Sequence, residues 1–478
     1  MAVLDEGVDL HVSAFRGIPY DRPMIRIDAR WALTETGWRP DARVHIGEDG
    51  RIASIEAAPA QADPRVELHG AARRTAPEPA DATADLVVPG LPDAHCHAFQ
   101  YGMAGLAERA GGHGDSFWTW RERMYTSLAS LDAAGLERTA TALYRRLRSA
   151  GYTSVAEFHY LHRLGGEPGR RASLATALES SQALARAAAA AGITLLLLPV
   201  LYRWGGFGRA ELGPRQARFA LARDDYRRLI EALLLQAADP ALRGTLRLGV
   251  APHSLRACDP EDLRWLLELR EALLPDCPVH IHVSEQPAEV RDARAALGQT
   301  PIAWLCANAP VDHRWTLVHA THATPGELRE LRTRGATVCL CTTTEANLGD
   351  GFFPVEDWFA AGGRMSVGSD SNVGTDAAEE LRWLEYQARL RRQARAVLVD
   401  PDCPHPGTAL WRRAVAGGRL SLGSDRPGLA PGAPGELLML SSEPGLPPDD
   451  ALDDFVFARR VTRVAGTVTP AGLRLESA

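Results

Sequence analysis

From Leu86 onward, short apolar runs alternate with longer amphipathic stretches studded with arginine. The runs at residues 86–88 (leading into Asp93-Ala94-His95), 153–158, 193–200, 246–251, 279–283, 316–319, 337–341 and 365–368 read as buried strands. Helices fit between them. Residues 174–191 are alanine-rich and end at Gly192, as a C-cap should. Asp259 before Pro260-Glu261-Asp262-Leu263 gives an N-cap, a proline at the first helical position and acids in the first turn. Thr324-Pro325-Gly326-Glu327 is a second start of that kind. Eight strand–helix repeats predict a closed parallel (β/α)8 barrel, with an open doubly wound sheet as the alternative. Before Leu86 the pattern is different: alternating segments at 24–27, 43–46 and 51–55, the last two joined by Gly47-Glu48-Asp49-Gly50, read as hairpin chemistry. The Pro/Ala-rich residues 57–84 read as partly exposed loop. After Gly423 short strands return, at 436–440 and 455–457. The expected organisation is therefore residues 1–88 and 424–478 as two parts of one small β domain, around a barrel at 89–423.

Composition sharpens this in three places. The chain has 478 residues and 45% apolar content, enough for a barrel of roughly 250 residues and a smaller domain besides. The net charge of -7 points to neither nucleic acid nor an anionic membrane as a partner. All 53 basic residues are arginine, so Schiff-base, pyridoxal and P-loop-lysine chemistry are excluded, as is a metal pair bridged by a modified lysine. Seven scattered cysteines without a C-x-x-C pair read as reduced thiols. The start MAVLDEGVDL lacks a basic end and an apolar core, and the longest apolar stretch, 187–201, is shorter than a membrane span. A soluble, cytoplasmic protein is expected.

Four clusters carry candidate chemistry. In Asp93-Ala94-His95-Cys96-His97, His95 and His97 share one strand face and can reach one metal ion. Alone, this pair is as readily two half-buried strand histidines. In His280-Ile281-His282-Val283-Ser284-Glu285, either histidine is a further ligand by spacing, and Glu285 sits where the chain leaves the strand, placed to shuttle protons. His319 ends another apolar run, and Asp370 in Gly368-Ser369-Asp370-Ser371-Asn372 follows the last strand. Singly, a strand-end aspartate is most often a turn or cap residue. Jointly, all four clusters fall at C-terminal strand ends, where barrel enzymes keep their reactive groups.

With these residues in place, the chain resembles the amidohydrolase superfamily in its deaminase branch, and within it the formimidoylglutamate deiminase family. The resemblance runs along nearly the whole chain. It is carried by His95-Cys96-His97-Ala98-Phe99-Gln100, Asp115-Ser116-Phe117-Trp118-Thr119-Trp120-Arg121, Ala251-Pro252-His253-Ser254-Leu255-Arg256, the run from His280 to Gln286, Thr343-Thr344-Glu345-Ala346-Asn347-Leu348-Gly349 and Gly368-Ser369-Asp370-Ser371-Asn372, with Gly205-Gly206-Phe207-Gly208 in support. It implies an α/β, TIM-like (β/α)8 barrel whose terminal segments form a small β-sandwich domain. It implies one Zn2+ (iron or another divalent ion being the alternatives) on His95, His97, His282 and Asp370. Glu285 would be the general acid/base, His319 would orient the water, and Gln100, Arg121, Tyr160, His253 and Arg256 would meet the substrate. The implied reaction is hydrolytic deimination of N-formimino-L-glutamate to N-formyl-L-glutamate and ammonia, in histidine degradation, by a homodimer. A dicarboxylate suits two arginines, each able to grip a carboxylate with a planar fork. Two other readings remain: a deaminase or chlorohydrolase of a purine- or triazine-like ring on the same metal site, and a non-catalytic metal-binding scaffold.

Overall fold

The computed structural model describes residues 24–59, 79–108, 116–239, 242, 244–424, 426 and 428–476. The N-terminal stretch read for a signal peptide, most of the expected 57–84 loop, and Asp115 lie outside the described residues.

Eight parallel strands form the barrel: Leu91–Cys96, Tyr152–His159, Thr194–Leu201, Leu246–Leu248 (continued by Ala251–Pro252), Val279–Val283, Trp315–His319, Thr337–Leu340 and Arg364–Val367. Adjacent strands pair in that order, the eighth pairs back to the first, and a parallel bridge from Val250 to Val279 closes the ring. The fourth strand is interrupted at Gly249, where a Cβ would stand 2.6 Å from Leu198 Cδ2 and 2.9 Å from the Pro278 carbonyl oxygen. Helices begin and end where the caps predict. Leu174–Ala191 stops at Gly192 in the left-handed region, φ 69°. Asp259 caps Pro260–Leu273 by accepting from Asp262 N, and Thr324 and Glu327 form a capping box on Pro325–Arg334.

The terminal segments meet in one seven-stranded sheet, ordered Gly472–Leu475, Arg463–Thr469, Leu437–Ser441, Ala82–Pro89, Ile25–Thr34, Gly37–Ile46 and Ile52–Ala57. Residues from strands as far apart as Ile52 and Leu437 belong to one apolar cluster, so the sheet curls over its own core. This is the expected small β domain built from both chain ends.

Two expectations are corrected. Residues 86–88 belong to the terminal strand Ala82–Pro89, and the barrel's first strand starts at Leu91. Gly90 makes the break possible, since a Cβ there would lie 2.2 Å from Thr153 Cγ2. Residues 455–457 are not a strand but the last turn of the helix Pro448–Phe457. Pro448 at the first turn with Asp449 and Asp450 starts that helix, and Leu452, Phe455 and Val456 make an i, i+3, i+4 stripe buried against barrel helices.

The helix Pro406–Ser421 covers the strand Arg364–Val367 through glycine. A Cβ at Gly417 would stand 1.8 Å from the Met365 carbonyl oxygen, which is backbone and cannot give way. Gly417→Ala is expected to cost at least about 1–3 kcal/mol, as overpacking does, and to lower the melting temperature. Gly326→Ala, whose Cβ meets nothing closer than 3.9 Å, should leave it unchanged. Burial also sets an acid limit. His162, wholly enclosed, has its pKa pushed down to about 4, against the pull of the Val200 carbonyl that its Nε2 meets at 2.7 Å. The folded chain therefore holds it neutral while the unfolded chain binds a proton below about 6.5. Its contribution is complete above pH 6.5 and fades as pH falls towards 4, by about 1.4 kcal/mol per pH unit. Thermal melts at pH 7 and pH 5 should differ less for His162→Gln than for the parent chain.

Candidate active site

The C-terminal ends of the first and eighth strands are fastened to each other by backbone and by three buried side chains. Asp370 N donates to the His95 carbonyl at 2.9 Å and His97 N to the Asp370 carbonyl at 3.0 Å. Asp93 accepts from Ser369 Oγ at 2.6 Å and Ser369 N at 3.0 Å. Asn372 Nδ2 donates to the carbonyls of His97 and Asp370, both at 3.0 Å. This junction brings residues 275 positions apart in the chain to one point.

At that point four donor atoms converge. His95 Nε2 is 3.2 Å from His97 Nε2 and 2.9 Å from His282 Nε2. Asp370 Oδ1 lies 3.5 Å from His95 Nε2 and 3.3 Å from His97 Nε2. All four residues are buried, and their ligand atoms lie within 4.8 Å of one another. His280, the alternative by spacing, lies lower in the barrel and turns its Nε2 to the Ser421 carbonyl at 2.8 Å.

The donor chemistry fits a cation. His97 Nδ1 meets the Phe158 carbonyl at 2.9 Å and His282 Nδ1 the His253 carbonyl at 3.2 Å. A carbonyl accepts, so each Nδ1 carries the hydrogen and each Nε2 presents a lone pair inward. Burial keeps the rings neutral: it lowers the pKa of His95 to about 3, lowers that of His97, and takes that of His282 well below its usual value. Burial opposes ionisation of Asp370, but His95, His319 and His97 outweigh it and hold the carboxyl well below the usual range. Inward lone pairs and a carboxylate repel unless an ion sits among them. A tetrahedral shell with nitrogens 2.0–2.1 Å from the metal spaces them roughly 3.3 Å apart, close to the spacing found. The set fits a divalent metal.

Around this centre lies a second tier. His319 Nε2 stands 3.8 Å from Asp370 Oδ2 and 3.9 Å from Glu285 Oε1, and its Nδ1 is 3.3 Å from Glu345 Oε1. Burial disfavours a charge on His319, but Glu285, Glu345 and Asp370 overcome it and raise its pKa well above the usual value. Burial raises the pKa of Glu285, with His319 and Arg256 pulling against it. Glu285 N is anchored on Glu289 Oε2 at 3.0 Å.

One cavity opens above these groups, lined by His97, Gln100, Arg121, Tyr160, His253, Arg256, His282, Glu285, His319 and Asp370, so every anticipated residue except the fully enclosed His95 faces it. Gln100 Nε2 donates to Tyr160 Oη at 3.1 Å, and Gln100 Oε1 has no partner among the described residues. The Arg121 guanidinium lies 4.5 Å over the Trp118 ring, and its Nε has no hydrogen-bond partner among the described residues. Arg256 Nη2 is 3.6 Å from Glu285 Oε2 and its Nε 3.8 Å from Glu289 Oε1. Sequence reasoning missed the supports Asp93, Glu157 and Asn372. Glu157 is fully buried and accepts from Ala98 N at 2.9 Å and Tyr144 Oη at 2.8 Å. A glutamate in a strand run otherwise uncharged, Thr153 to Phe158, was the available signal. Phe117, Trp118, Trp120, Tyr125, Tyr202 and Phe207 also line the cavity.

Gly368 is where the frame closes on the metal residues: a Cβ there would lie 2.7 Å from the His95 carbonyl and 2.8 Å from His95 Cβ. Gly368→Ala is expected to push His95 away and lower bound metal well below one per chain, with far-UV circular dichroism unchanged. Full metal occupancy in that variant, by elemental analysis after dialysis, would contradict this account of the frame.

Comparison with known proteins agrees with this geometry. Residues 86–468 match the Amidohydrolase family, and residues 24–70 match "Formimidoylglutamate deiminase HutF, N-terminal domain". The chain is 44% identical over 420 residues, 87% of its length and 86% of the relative's, to formimidoylglutamate deiminase of Pseudomonas aeruginosa. Its fold superposes on an amidohydrolase from Brucella melitensis with TM-score 0.84 and 40% identity, covering 95% of both chains. An adenosine deaminase from Xanthomonas campestris with bound zinc shares the fold at TM-score 0.72 and 20% identity, over 94% of this chain and 92% of that one. The chain therefore belongs to the amidohydrolase family, and within it to the formimidoylglutamate deiminases.

Proposed function

We propose that this protein hydrolyses N-formimino-L-glutamate to N-formyl-L-glutamate and ammonia, a step of histidine degradation, with one zinc ion on His95, His97, His282 and Asp370. The observation that carries the reading is the single cavity that joins a four-donor metal cluster to two arginines. Three imidazoles and one carboxylate with room for a water suit catalytic zinc, while iron or another divalent ion is compatible with the same N/O set. When bound, the ion acidifies a water molecule, whose pKa drops from 15.7 to roughly 7.

The chain's own groups do the rest. Asp370 accepts a proton through Oδ2, the oxygen facing His319. His319, whose pKa its three acidic neighbours raise, donates to the water oxygen as that oxygen bonds to the formimino carbon and the C=N electron pair moves to the imino nitrogen. Glu285 passes the proton to the departing nitrogen, so the C–N bond breaks with loss of ammonia and the C=O of the formyl group forms. Gln100, Tyr160 and His253 position the formimino end, and Arg121 and Arg256 receive the carboxylates.

A deaminase of a purine- or triazine-like ring is the second reading, favoured by the aromatic wall of Phe117, Trp118, Trp120 and Tyr125. The two guanidinium groups in the same wall favour the dicarboxylate. We further propose a division of the chain near 88/89, at the end of the strand Ala82–Pro89, and at 423/424, a homodimeric assembly and a cytoplasmic location. The last is supported by seven free, buried cysteines. Among the described residues no helix is long and apolar enough to cross a membrane.

Ammonia release from N-formimino-L-glutamate, far exceeding that from guanine or adenosine, is the expected result; the reverse order would establish the ring reading. Glu285→Gln is expected to keep its metal and lose about 10²–10⁴-fold in turnover, the usual weight of a general acid/base. Arg256→Met should lower kcat/KM chiefly through KM. Near-normal turnover in Glu285→Gln would reassign the proton carrier.

A further inference from the structure

A carboxylate removed from water needs several donors, since each oxygen accepts more than one hydrogen bond. Beside the two arginines, the cavity offers tyrosine hydroxyls, and their existing partners tell them apart. Tyr160 is engaged on both sides: Gln100 Nε2 donates to its oxygen at 3.1 Å, and its own hydrogen is directed at Met124 Sδ, 3.8 Å away. Tyr202 is engaged on one. It follows directly on the barrel strand Thr194–Leu201, at the strand end where barrel enzymes place reactive and binding groups. It is 7% exposed, with its ring 4.7 Å from that of His253 and 5.6 Å from that of Phe219. Gly213 N donates to Gln216 Oε1 at 2.9 Å, which turns the Gln216 amide nitrogen towards Tyr202. That nitrogen donates to Tyr202 Oη at 3.0 Å. The phenolic oxygen is thereby an acceptor, and among the described residues no group receives its hydrogen. Burial raises the pKa of this hydroxyl, and the charges that oppose it are Arg256 and Arg121. The free O–H therefore stands in the cavity within the field of both guanidinium groups.

We propose that Tyr202 is a substrate-binding residue whose hydroxyl donates to a carboxylate received by Arg121 and Arg256, with Gln216 as its positioning residue. The assignment rests on the dicarboxylate reading above. It adds a neutral donor to two charges in one cavity, which fixes where a carboxylate oxygen sits as well as attracting it. Tyr202→Phe removes only that donor and keeps the ring between His253 and Phe219.

The test uses the metal-loaded enzyme, parent and Tyr202→Phe, with ammonia release from N-formimino-L-glutamate and from two analogues that each lack one carboxylate, the formimino derivatives of 4-aminobutyrate and L-2-aminobutyrate. Where an analogue turns over slowly, it is read as a competitive inhibitor. The expected result is a roughly ten-fold drop in kcat/KM on the dicarboxylate, mostly in KM, with metal content and melting temperature unchanged. On one analogue the penalty should shrink below about two-fold, since the carboxylate that Tyr202 meets is then missing. An unchanged kcat/KM in Tyr202→Phe, or an equal penalty on all three compounds, overturns the assignment. If the parent enzyme releases no ammonia from N-formimino-L-glutamate, the dicarboxylate reading fails and this assignment fails with it.

Discussion

The structure depends on a repulsion held in place. Three imidazole nitrogens, two of them fixed as lone-pair donors by the Phe158 and His253 carbonyls, face one another and a carboxylate inside a buried pocket. Such a set does not assemble for its own stability, since burial of polar groups without partners is costly. It stands because the junction of the first and eighth strands leaves the chain no alternative, and because a divalent ion answers the lone pairs. The backbone carries part of the cost. Ser284, His319, Ala320, Asp370 and Asn372, all at strand ends around the pocket, have positive φ without being glycine. Such strain persists only where the surroundings overdetermine it, and here a sheet of buried Leu, Val and Ile residues lies below.

Charge is laid out just as tightly around His319. Glu285, Glu345 and Asp370 approach it from three elements and raise its pKa, while burial lowers those of the metal-facing imidazoles. One pocket thus shifts its histidines in opposite directions, by environment and not by distance. Arg256 touches this network at one edge. Its approaches to Glu285 and Glu289, 3.6 and 3.8 Å, are attractive but make no hydrogen bond. A carboxylate arriving from solvent with two oxygens in the plane of the guanidinium competes well with such loose pairs. Arriving substrate would then release Glu285 from the arginine as it fills the site.

Most of this was legible where physics acts locally. The helices starting at Pro260 and Pro325 were readable from Asp259 and Thr324 because a cap is a contact between neighbours in sequence. The metal residues were readable because period two puts His95 and His97 on one face and because strand ends collect reactive groups. What failed was what depends on distant partners. Residues 455–457 are as apolar as a strand, and only the packing of the helix they finish against its neighbours decides otherwise. His280 and His282 share a face, so spacing alone did not choose; depth in the barrel did, and depth is a property of the closed ring. Nothing local in the sequence singles out Tyr202. Its significance lies in Gln216, fourteen residues on, whose orientation is set in turn by Gly213.

The barrel also divides its labour by side. The metal and proton-handling groups come from the first, fifth, sixth and eighth strands and, through Glu345, from just after the seventh. The groups proposed to read the substrate, Gln100, Arg121, Tyr160, Tyr202, His253 and Arg256, follow the first four strands. The first strand belongs to both sets and is the one fastened across to the eighth by Asp93 and Asn372. An arrangement of this kind lets the recognition half change without disturbing the metal frame, because loops after the second, third and fourth strands contribute no ligand to the ion. That is a physical reason why proteins of only 20% identity keep the same barrel, and why recognition in this chain should be sought in those three loops and in the helix carrying Arg121.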